Sequence, residues 1–261
     1  MPALYAHNRF GNLVLPGLPA DVRGAIMRNR SLFDAGLQGP DFLFYYKPAG
    51  KNPINTLAHS LHMQTGHDFF TAICRRLPKN PQEPELAYLY GLLAHYCLDS
   101  MCHPYIQTHF PDGTPGHNAM ESEFERFLLL RDGCKRPHTY PRSRMMKVSK
   151  EDSALICKFY PPTTPEQIRE AAEGMRRVTG LITCSNPLHR TAARQILRLF
   201  GKEQKGLLVP PQSDPTQEAR NQQLLELFCK AQARYPVLLE QLRDHLSFRE
   251  PLGPEFDPTF G

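Results

Sequence analysis

Hydrophobic and polar positions along the 261-residue chain follow the spacing of helices rather than that of strands. Hairpin pairs of alternating apolar runs do not stand out, and proline and glycine divide the chain into segments of helical length. Thr164, Pro165 and Glu166 form the clearest helix start, because they supply a capping hydroxyl, a first-turn proline and an acidic first turn. The predicted helices are Pro19–Gly36, Asn55–Leu77, Pro84–Cys102, His117–Arg131, Ser149–Lys158, Pro165–Leu181, His189–Phe200 and Pro215–Leu246.

The segments between these helices are interpreted as loops, among them Gly39–Pro53 and Pro111–Gly116. Pro104 is expected to end the third helix, because proline removes a backbone donor. Leu207–Asp214 has the composition of a linker, but the helices on both sides of it can pack onto one core. The tail from Pro251 is rich in proline and glycine and is expected to be extended. The pattern predicts an all-α fold built as a single multi-helix domain.

Composition places the chain among ordinary globular proteins, since 41% of its residues are hydrophobic and 22% are charged. No window approaches the roughly 18 apolar residues of a membrane-spanning helix. The first residues lack the basic start and unbroken apolar stretch of a secretory leader. Seven cysteines without a CxxC pair favour a reducing compartment, so the cytoplasm is the expected location. Cys97 and Cys102 are interpreted as buried apolar thiols rather than metal ligands.

The net charge of +5 is modest, and lysine and arginine are scattered along the chain. A long basic stripe is missing from the sequence, so no specific nucleic-acid partner is expected. The charge is compatible with weak attraction to a phosphate substrate or an anionic membrane surface, and peripheral membrane contact is therefore an expectation.

Histidine is the unusual component: seven of the eleven fall between positions 59 and 117. His95, Asp99 and His103 follow one another at four-residue steps. Four residues of an α-helix turn by about 400°, so the three side chains share one face at roughly 6 Å per step. Burying Asp99 alone would cost several kcal/mol, and a metal ion removes that cost by supplying positive charge. The row predicts a transition-metal site, zinc above all; a surface stripe of hydrogen-bonded side chains is the alternative.

Two further groups could contribute ligands. His117 and Glu121 repeat the four-residue step, although a first-turn glutamate would equally serve the helix dipole. Asp41 follows Gly39-Pro40 and precedes a run of aromatic residues, where it could bind a metal or cap a turn.

His59 and His62 are three residues apart and could both face one side of their helix, while His7 lies near the start of the chain. Taken alone, none of these three residues can be assigned to a metal site or excluded from one.

The order of these residues resembles that of the zinc-dependent phospholipase C family over about the first 130 residues. The residues that carry the resemblance are His7, Asp41 in GPD, a helical histidine at 59 or 62, His95 and Asp99 in HYCLD, His103 in HPY, and His117 with Glu121 in HxxxE. The resemblance implies a helical domain of the phospholipase C or single-strand nuclease type. Its single domain would cover residues 1–261, with a metal-binding part at about 1–131 and C-terminal helices at about 149–246.

The resemblance further implies up to three zinc ions. One ion would be bound by Asp41, His62 or His59, His95 and Asp99. A second would share Asp99 and add His7 with the amino terminus of the chain, and the third would be bound by His103, His117 and Glu121. His62 is preferred over His59, because LHMQTGHDFF is similar to the family's ligand-bearing segment.

In function, the resemblance implies a zinc-dependent phosphodiester hydrolase that converts phospholipid to diacylglycerol and a phosphorylated head group. Asp41 and Asp99 are the predicted catalytic residues: Asp99 bridges two ions and Asp41 orients or deprotonates the attacking water. Phe44 and Tyr45 are the predicted substrate-binding residues. A nuclease-like or small-molecule phosphoesterase, or a non-catalytic zinc-binding helical protein, are the alternatives.

The sequence departs from the family pattern in three respects. The secreted enzymes use an N-terminal tryptophan as a metal ligand, whereas this chain contains no tryptophan. Removal of Met1 would expose the amine of Pro2 as a substitute. The spacing from Asp99 to His103 is shorter than in the secreted enzymes, and a β-sandwich membrane-binding module does not follow the helical part.

Overall fold

Helices are the only regular secondary structure in the part of the chain that the computed structural model describes, residues 4–111, 114–183, 186–199 and 206–260. Within these ranges there is no strand, and the only bridge is an isolated antiparallel one between Thr65 and Thr259. The predicted all-α fold is therefore confirmed. The α-helices are α1 Leu4–Val14, α2 Ala20–Arg28, α3 Arg30–Gly36, α4 Pro53–His62, α5 Gly66–Arg76, α6 Glu83–His109, α7 Pro115–Arg131, α8 Lys150–Ile156, α9 Pro165–Ile182, α10 Pro187–Leu199 and α11 Glu218–Phe248.

Single-turn 3₁₀ helices connect several of these elements. They lie at Leu15–Gly17, Asp41–Tyr45, Pro137–Thr139, Arg142–Arg144, Cys157–Phe159, Pro215–Gln217 and Pro254–Phe256. Asp41–Tyr45 falls within the predicted loop Gly39–Pro53. It packs on α4 and α9, so its aromatic residues are fixed against the helical core rather than carried on a free connection.

Helix α6 is the centre of the fold and is buried on most of its circumference over 27 residues. Its start is fixed by a capping box between Gln82 and Glu85. The expectation that Pro104 ends this helix is wrong, since α6 continues to His109. An internal proline costs about 3 kcal/mol. Burial of His103 and Ile106 on either side of Pro104 offsets this cost, so packing overrides the local signal.

Helix α3 approaches α6 closely because a glycine stands on each side of the contact. A Cβ on Gly36 would lie 2.4 Å from the carbonyl oxygen of Tyr88, and one on Gly91 would lie 2.2 Å from that of Phe33. The two backbones are therefore in direct contact. The chain leaves α3 beside the middle of α6, and that exit places Asp41 next to His95.

Several predicted boundaries differ from the observed ones. Pro19–Gly36 is two helices separated at Asn29, and Asn55–Leu77 is interrupted before Thr65, whose side chain caps α5. Helix α1 was not predicted. The tail beyond Pro251 is not extended throughout, because it contains a 3₁₀ turn and its Phe256 and Phe260 side chains are fully buried.

One hydrophobic cluster includes buried residues from Leu4 to Phe260 and draws on most of the helices. A second, smaller cluster joins the end of α9 and the inner face of α10 to Leu207 and Leu208, at the start of the predicted linker. Phe200, at the end of the predicted helix His189–Phe200, lies outside the described residues. Among the described helices, none combines the length and the apolar character needed to cross a bilayer.

Candidate metal centre

Five elements bring eight of the predicted metal-binding side chains together. Helix α1 supplies one, the 3₁₀ helix Asp41–Tyr45 one, α4 one, α6 three and α7 two, and all eight are buried. They are His7, Asp41, His62, His95, Asp99, His103, His117 and Glu121. Such a concentration of imidazole and carboxylate in a helical interior needs compensating charge or hydrogen bonds.

Asp99 lies at the middle of the cluster. Its Oδ1 is 3.2 Å from Nε2 of His7 and 3.6 Å from Nε2 of His103, while Oδ2 is 3.1 Å from Nε2 of His95. Burial alone would raise the pKa of this carboxyl, but the three imidazoles outweigh burial and hold the pKa well below its ordinary value. Asp99 is therefore an ionised, buried carboxylate faced by three histidines.

The side chains form three groups, each with ligand atoms that lie within 4.8 Å of one another. The groups are His7, His95 and Asp99; Asp41, His62 and His95; and His103, His117 and Glu121. His95 belongs to two of them. The four-residue step explains the third group, because it places His117 and Glu121 on the side of α7 that faces His103. Oε1 of Glu121 is 3.5 Å from Nε2 of His117 and 3.5 Å from Nε2 of His103.

The hydrogen bonds of the ligands suit them to a metal ion. Nδ1 of His62 donates to the carbonyl oxygen of Ala58 at 2.7 Å, and Nδ1 of His95 donates to that of Leu37 at 3.2 Å. A carbonyl can only accept, so in a neutral imidazole the lone pair is on Nε2. Nε2 of His62 then faces Oδ1 of Asp41 at 2.8 Å. Two acceptors at that distance require a cation or a proton between them.

Unsatisfied buried atoms support the same conclusion. Within the described residues, buried side-chain atoms of the centre without a hydrogen-bond partner include Nδ1 of His7, Nε2 of His95, Oδ2 of Asp99, Nδ1 of His103 and Oε2 of Glu121. Buried polar atoms are rarely left in this state. Zinc takes nitrogen and oxygen ligands of these types, so the residues fit that ion.

A cavity of about 20 Å³ lies between His7, Asp99, His103 and Glu121. A single water needs about 10–15 Å³, so the space accommodates a small ion or one water. The rest of its wall is largely apolar, formed by Ala6, Leu98, Cys102, Ile106, Phe124 and Leu224. Cys102 touches the cavity but belongs to none of the three groups, in agreement with its interpretation as a buried thiol.

The pKa values of several buried ligands are shifted in the direction that favours the protonation states that bind metal. Burial lowers the pKa of His103, which favours its neutral imidazole. Burial alone would raise the pKa of Glu121, but the hydrogen bond from His117 contributes to lowering it overall. The pKa of Asp41 is likewise lowered despite its burial, and the hydrogen bond with His62 contributes to this shift. Neutral imidazoles and ionised carboxylates are the forms that coordinate zinc.

The predicted substrate-binding residues lie at the edge of the centre. The half-buried ring of Phe44 is 4.8 Å from the ring of His59 and 5.2 Å from that of His62, measured between centroids. Tyr45 is also half-buried, and burial followed by the charge of Asp41 raises the pKa of its hydroxyl, so it keeps its proton. His59 is exposed and outside the three groups, whereas His62 is inside one of them.

A buried ion pair next to the centre was missed by sequence reasoning. Oε2 of Glu125 accepts from Nη1 of Arg142 at 2.6 Å, and its Oε1 accepts from the backbone N–H of Tyr5 at 2.6 Å. The four-residue step from Glu121 to Glu125 is the only sequence signal for this contact. Arg142 lies in a 3₁₀ turn 17 residues after Glu125, and no sequence pattern connects the two residues.

The model of the family described as zinc dependent phospholipase C matches residues 6–171. The match covers more than half of the chain, which therefore belongs to this family. No curated protein and no solved structure shows a significant match to the chain. Family membership and the three donor groups identify zinc as the cofactor, up to three ions, and indicate a hydrolase of phospholipase C type. The amino terminus, the remaining predicted ligand, lies outside the described residues.

Proposed function

We propose that the protein hydrolyses phospholipid on the glycerol side of the phosphate, releasing diacylglycerol and a phosphorylated head group. The observation that carries the proposal is the buried Asp99 carboxylate, which faces His7, His95 and His103 within 3.6 Å. A carboxylate in that position can serve two cations at once. Membership in the zinc-dependent phospholipase C family supplies the reaction class.

We assign the ligands from the three groups. Asp41, His62, His95 and Asp99 would hold one zinc ion, and His7 with Asp99 a second. His103, His117 and Glu121 would hold the third. Zinc bound at such sites acts as a Lewis acid, lowering the pKa of water from about 15.7 toward 7 and neutralising phosphate charge.

The protein's own side chains would then orient the attacking water and the phosphate, and would accept or donate protons. Asp41 is ionised, so its second oxygen can accept a hydrogen bond from the attacking water and take up a proton. Tyr45 keeps its proton and can donate a hydrogen bond to a phosphate oxygen. The partly exposed ring of Phe44, which contacts His62 at a tilted angle, provides an apolar edge for the glycerol side of a lipid.

The proposal is tested by zinc analysis of the purified protein, together with hydrolysis of a phosphatidylcholine panel, a chromogenic phosphodiester and single-stranded DNA. Zinc with lipid turnover is the expected result. Turnover of DNA but not lipid would favour the nuclease-like alternative, and zinc without any hydrolysis would favour the non-catalytic one.

Substitution of one carboxylate tests the assigned centre directly. Asp99→Asn should lower the zinc content and abolish turnover. Asp34→Asn is the matched control, because Asp34 is also an aspartate in an ion pair, with Arg30, but lies outside the three groups. Full zinc content and full activity in Asp99→Asn would refute the assignment.

A further inference from the structure

The end of α9 and the whole of α10 form a basic stretch without acidic residues. Between Glu173 and Glu203 the sequence contains six lysines and arginines and not one aspartate or glutamate. Arg176 and Arg177 pair with Glu173 at the start of this stretch. The three arginines of α10 follow at positions 190, 194 and 198, again at four-residue steps. The local field around α10 is therefore positive.

Helix α10 also exposes apolar side chains. Its inner face buries Ala193 and Leu197 in the small second cluster. On the outward side, Leu188 is 77% exposed and Ile196 is 39% exposed. At about 100° per residue, Ile196 lies about 80° from Leu188 on one side, and Arg198 and Arg194 lie about 80° and 120° from it on the other. Both arginines are exposed. The outward half of α10 thus presents apolar and basic side chains together.

Helix α10 is hydrogen-bonded to a segment that packs next to the metal centre. Nη2 of Arg190 donates to the carbonyl oxygen of Val209 at 2.9 Å, which ties α10 to the segment that follows it. That segment lies against the first turn of α7, where a Cβ on Gly206 would be 2.5 Å from the backbone nitrogen of Ala119. Ala119 is two residues from His117, so the segment tied to α10 rests on the turn that carries His117, one member of the third donor group.

We propose that the outward face of α10, with Leu188, Ile196, Arg194 and Arg198, docks the protein on an anionic phospholipid bilayer. The bilayer is chosen as the partner because exposed leucine and isoleucine can enter the boundary between head groups and acyl chains, while arginines pair with lipid phosphates. The inference rests on the proposed function in one respect: docking on a bilayer brings the protein to its substrate only if that substrate is a phospholipid.

The absence of tryptophan from the chain allows a direct test. Leu188→Trp introduces a single indole on the docking face, and its emission should shift to the blue on mixing with phosphatidylcholine vesicles that contain phosphatidylserine. Met27→Trp is the matched control, because Met27 is 58% exposed on a different helix, α2, and its emission should not shift. Equal shifts at both positions, or no shift at Leu188→Trp, would overturn the proposal.

Vesicle cosedimentation tests the charged part of the face. The double substitution Arg194→Gln and Arg198→Gln should weaken binding to the same vesicles about tenfold or more, since each basic residue near an anionic surface contributes about fivefold. The control replaces Arg75 and Arg76, an exposed basic pair on α5, and should leave binding unchanged. Binding should also weaken as salt is raised. Equal loss in both double variants would contradict the proposal.

Two measurements distinguish membrane docking by α10 from a failure of the proposed function and from dimerisation through the same face. Turnover of a short-chain phospholipid below its micellar concentration should be the same in the Arg194 and Arg198 double variant as in the unsubstituted protein. Failure of that turnover in the unsubstituted protein would count against the proposed function, whereas loss of vesicle binding alone would not. Light scattering that shows a dimer dissociated by Leu188→Gln would assign the face to a second copy of the chain and refute docking.

Discussion

Oε1 of Glu125 accepts a hydrogen bond from the backbone N–H of Tyr5 at 2.6 Å. The other oxygen of Glu125 is bound to Arg142, and both side chains of this ion pair are almost completely buried, at 0% and 1% exposure. Tyr5 opens the helix that carries His7, and Glu125 lies one turn after Glu121. The contact therefore fixes the helix of the first donor group against the helix of the third.

Glu125→Gln should reduce zinc binding as well as stability. A glutamine can still accept from Tyr5 but leaves Arg142 without its counter-charge, and breaking a buried pair in this way costs about 3 kcal/mol. Movement of α1 should weaken the site at His7 first. The expected result is a lower free energy of unfolding in urea and the loss of about one zinc ion per chain relative to the unsubstituted protein, while the sites of the other two groups remain loaded.

Glu123→Gln is the matched control for this substitution. Glu123 is buried on the same helix and accepts from Nε of Arg126 at 2.9 Å, so its replacement also leaves a buried arginine unpaired. It should lower stability with little change in zinc content. The double variant Glu125→Gln, Arg142→Met should recover stability but not zinc. Equal zinc loss in the Glu123 and Glu125 variants would show that Glu125 does not position α1.

Gly39→Ala should displace His95. Gly39 has φ of +51°, and a Cβ there would lie 2.3 Å from Nε2 of His95, the atom that faces Asp99. His95 belongs to two donor groups, so zinc content should fall by more than one ion, with a stability loss of about 2 kcal/mol or more. Metal analysis and urea unfolding measure both effects.

Gly133→Ala separates backbone strain from this collision. Gly133 has φ of +82°, but a Cβ there would meet nothing within 4 Å. The substitution should cost about 1 kcal/mol through backbone strain alone and leave zinc content unchanged. If it lowered zinc content as much as Gly39→Ala does, strain rather than contact with His95 would explain both variants.

Helical periodicity is the reason that much of the centre could be predicted from the sequence. His95, Asp99 and His103 share a face wherever that segment is helical, and His117 with Glu121 follows the same rule. The choice between His59 and His62 could not be made in this way. It depends on how α4 packs against the 3₁₀ helix Asp41–Tyr45, which is a tertiary contact.

Local signals failed where packing decided the outcome. Pro104 marks a helix end by its chemistry, yet α6 passes through it because the residues on both sides are buried. The break at Asn29 is the reverse case. The sequence predicts one helix over α2 and α3, but the chain bends at Asn29, and α3 then packs with Gly36 against Gly91 of α6. The pair of Glu125 and Arg142 has no sequence pattern beyond the single step from Glu121.

The stability of the zinc-free protein should depend on the ionisation of Asp99. The folded-state pKa of this group lies below its ordinary value of 3.8, so as the pH falls the unfolded chain takes up the proton first. The stabilisation is thus complete above pH 3.8 and is lost as the pH falls through the folded-state pKa. Urea unfolding across this acidic range should show a steeper decline for the unsubstituted protein than for Asp99→Asn. Parallel curves would contradict the shift.

The cysteines should differ sharply in reactivity. Burial raises the pKa of Cys74 and of Cys97 to about 12, so at neutral pH both remain protonated and inaccessible. Cys229 is exposed. Alkylation of the native protein followed by peptide mapping should label Cys229 within minutes and leave Cys74 and Cys97 unlabelled until the protein is unfolded. Early labelling of Cys97 would place it in a more open environment than the interior of α6.

His62 and His59 provide the sharpest comparison of a proposed ligand and a proposed non-ligand on one helix. His62→Ala removes an imidazole whose Nε2 is 2.8 Å from Asp41, and it should reduce zinc content by about one ion and lower turnover at least a hundredfold. His59→Ala removes an exposed ring that contacts Phe44, so zinc content should stay unchanged and turnover should fall only a few-fold. Metal analysis of the two purified variants beside the unsubstituted protein measures the difference. The reverse order of effects would exchange the roles of the two histidines and require α4 to be rotated by about 60° about its axis relative to Asp41.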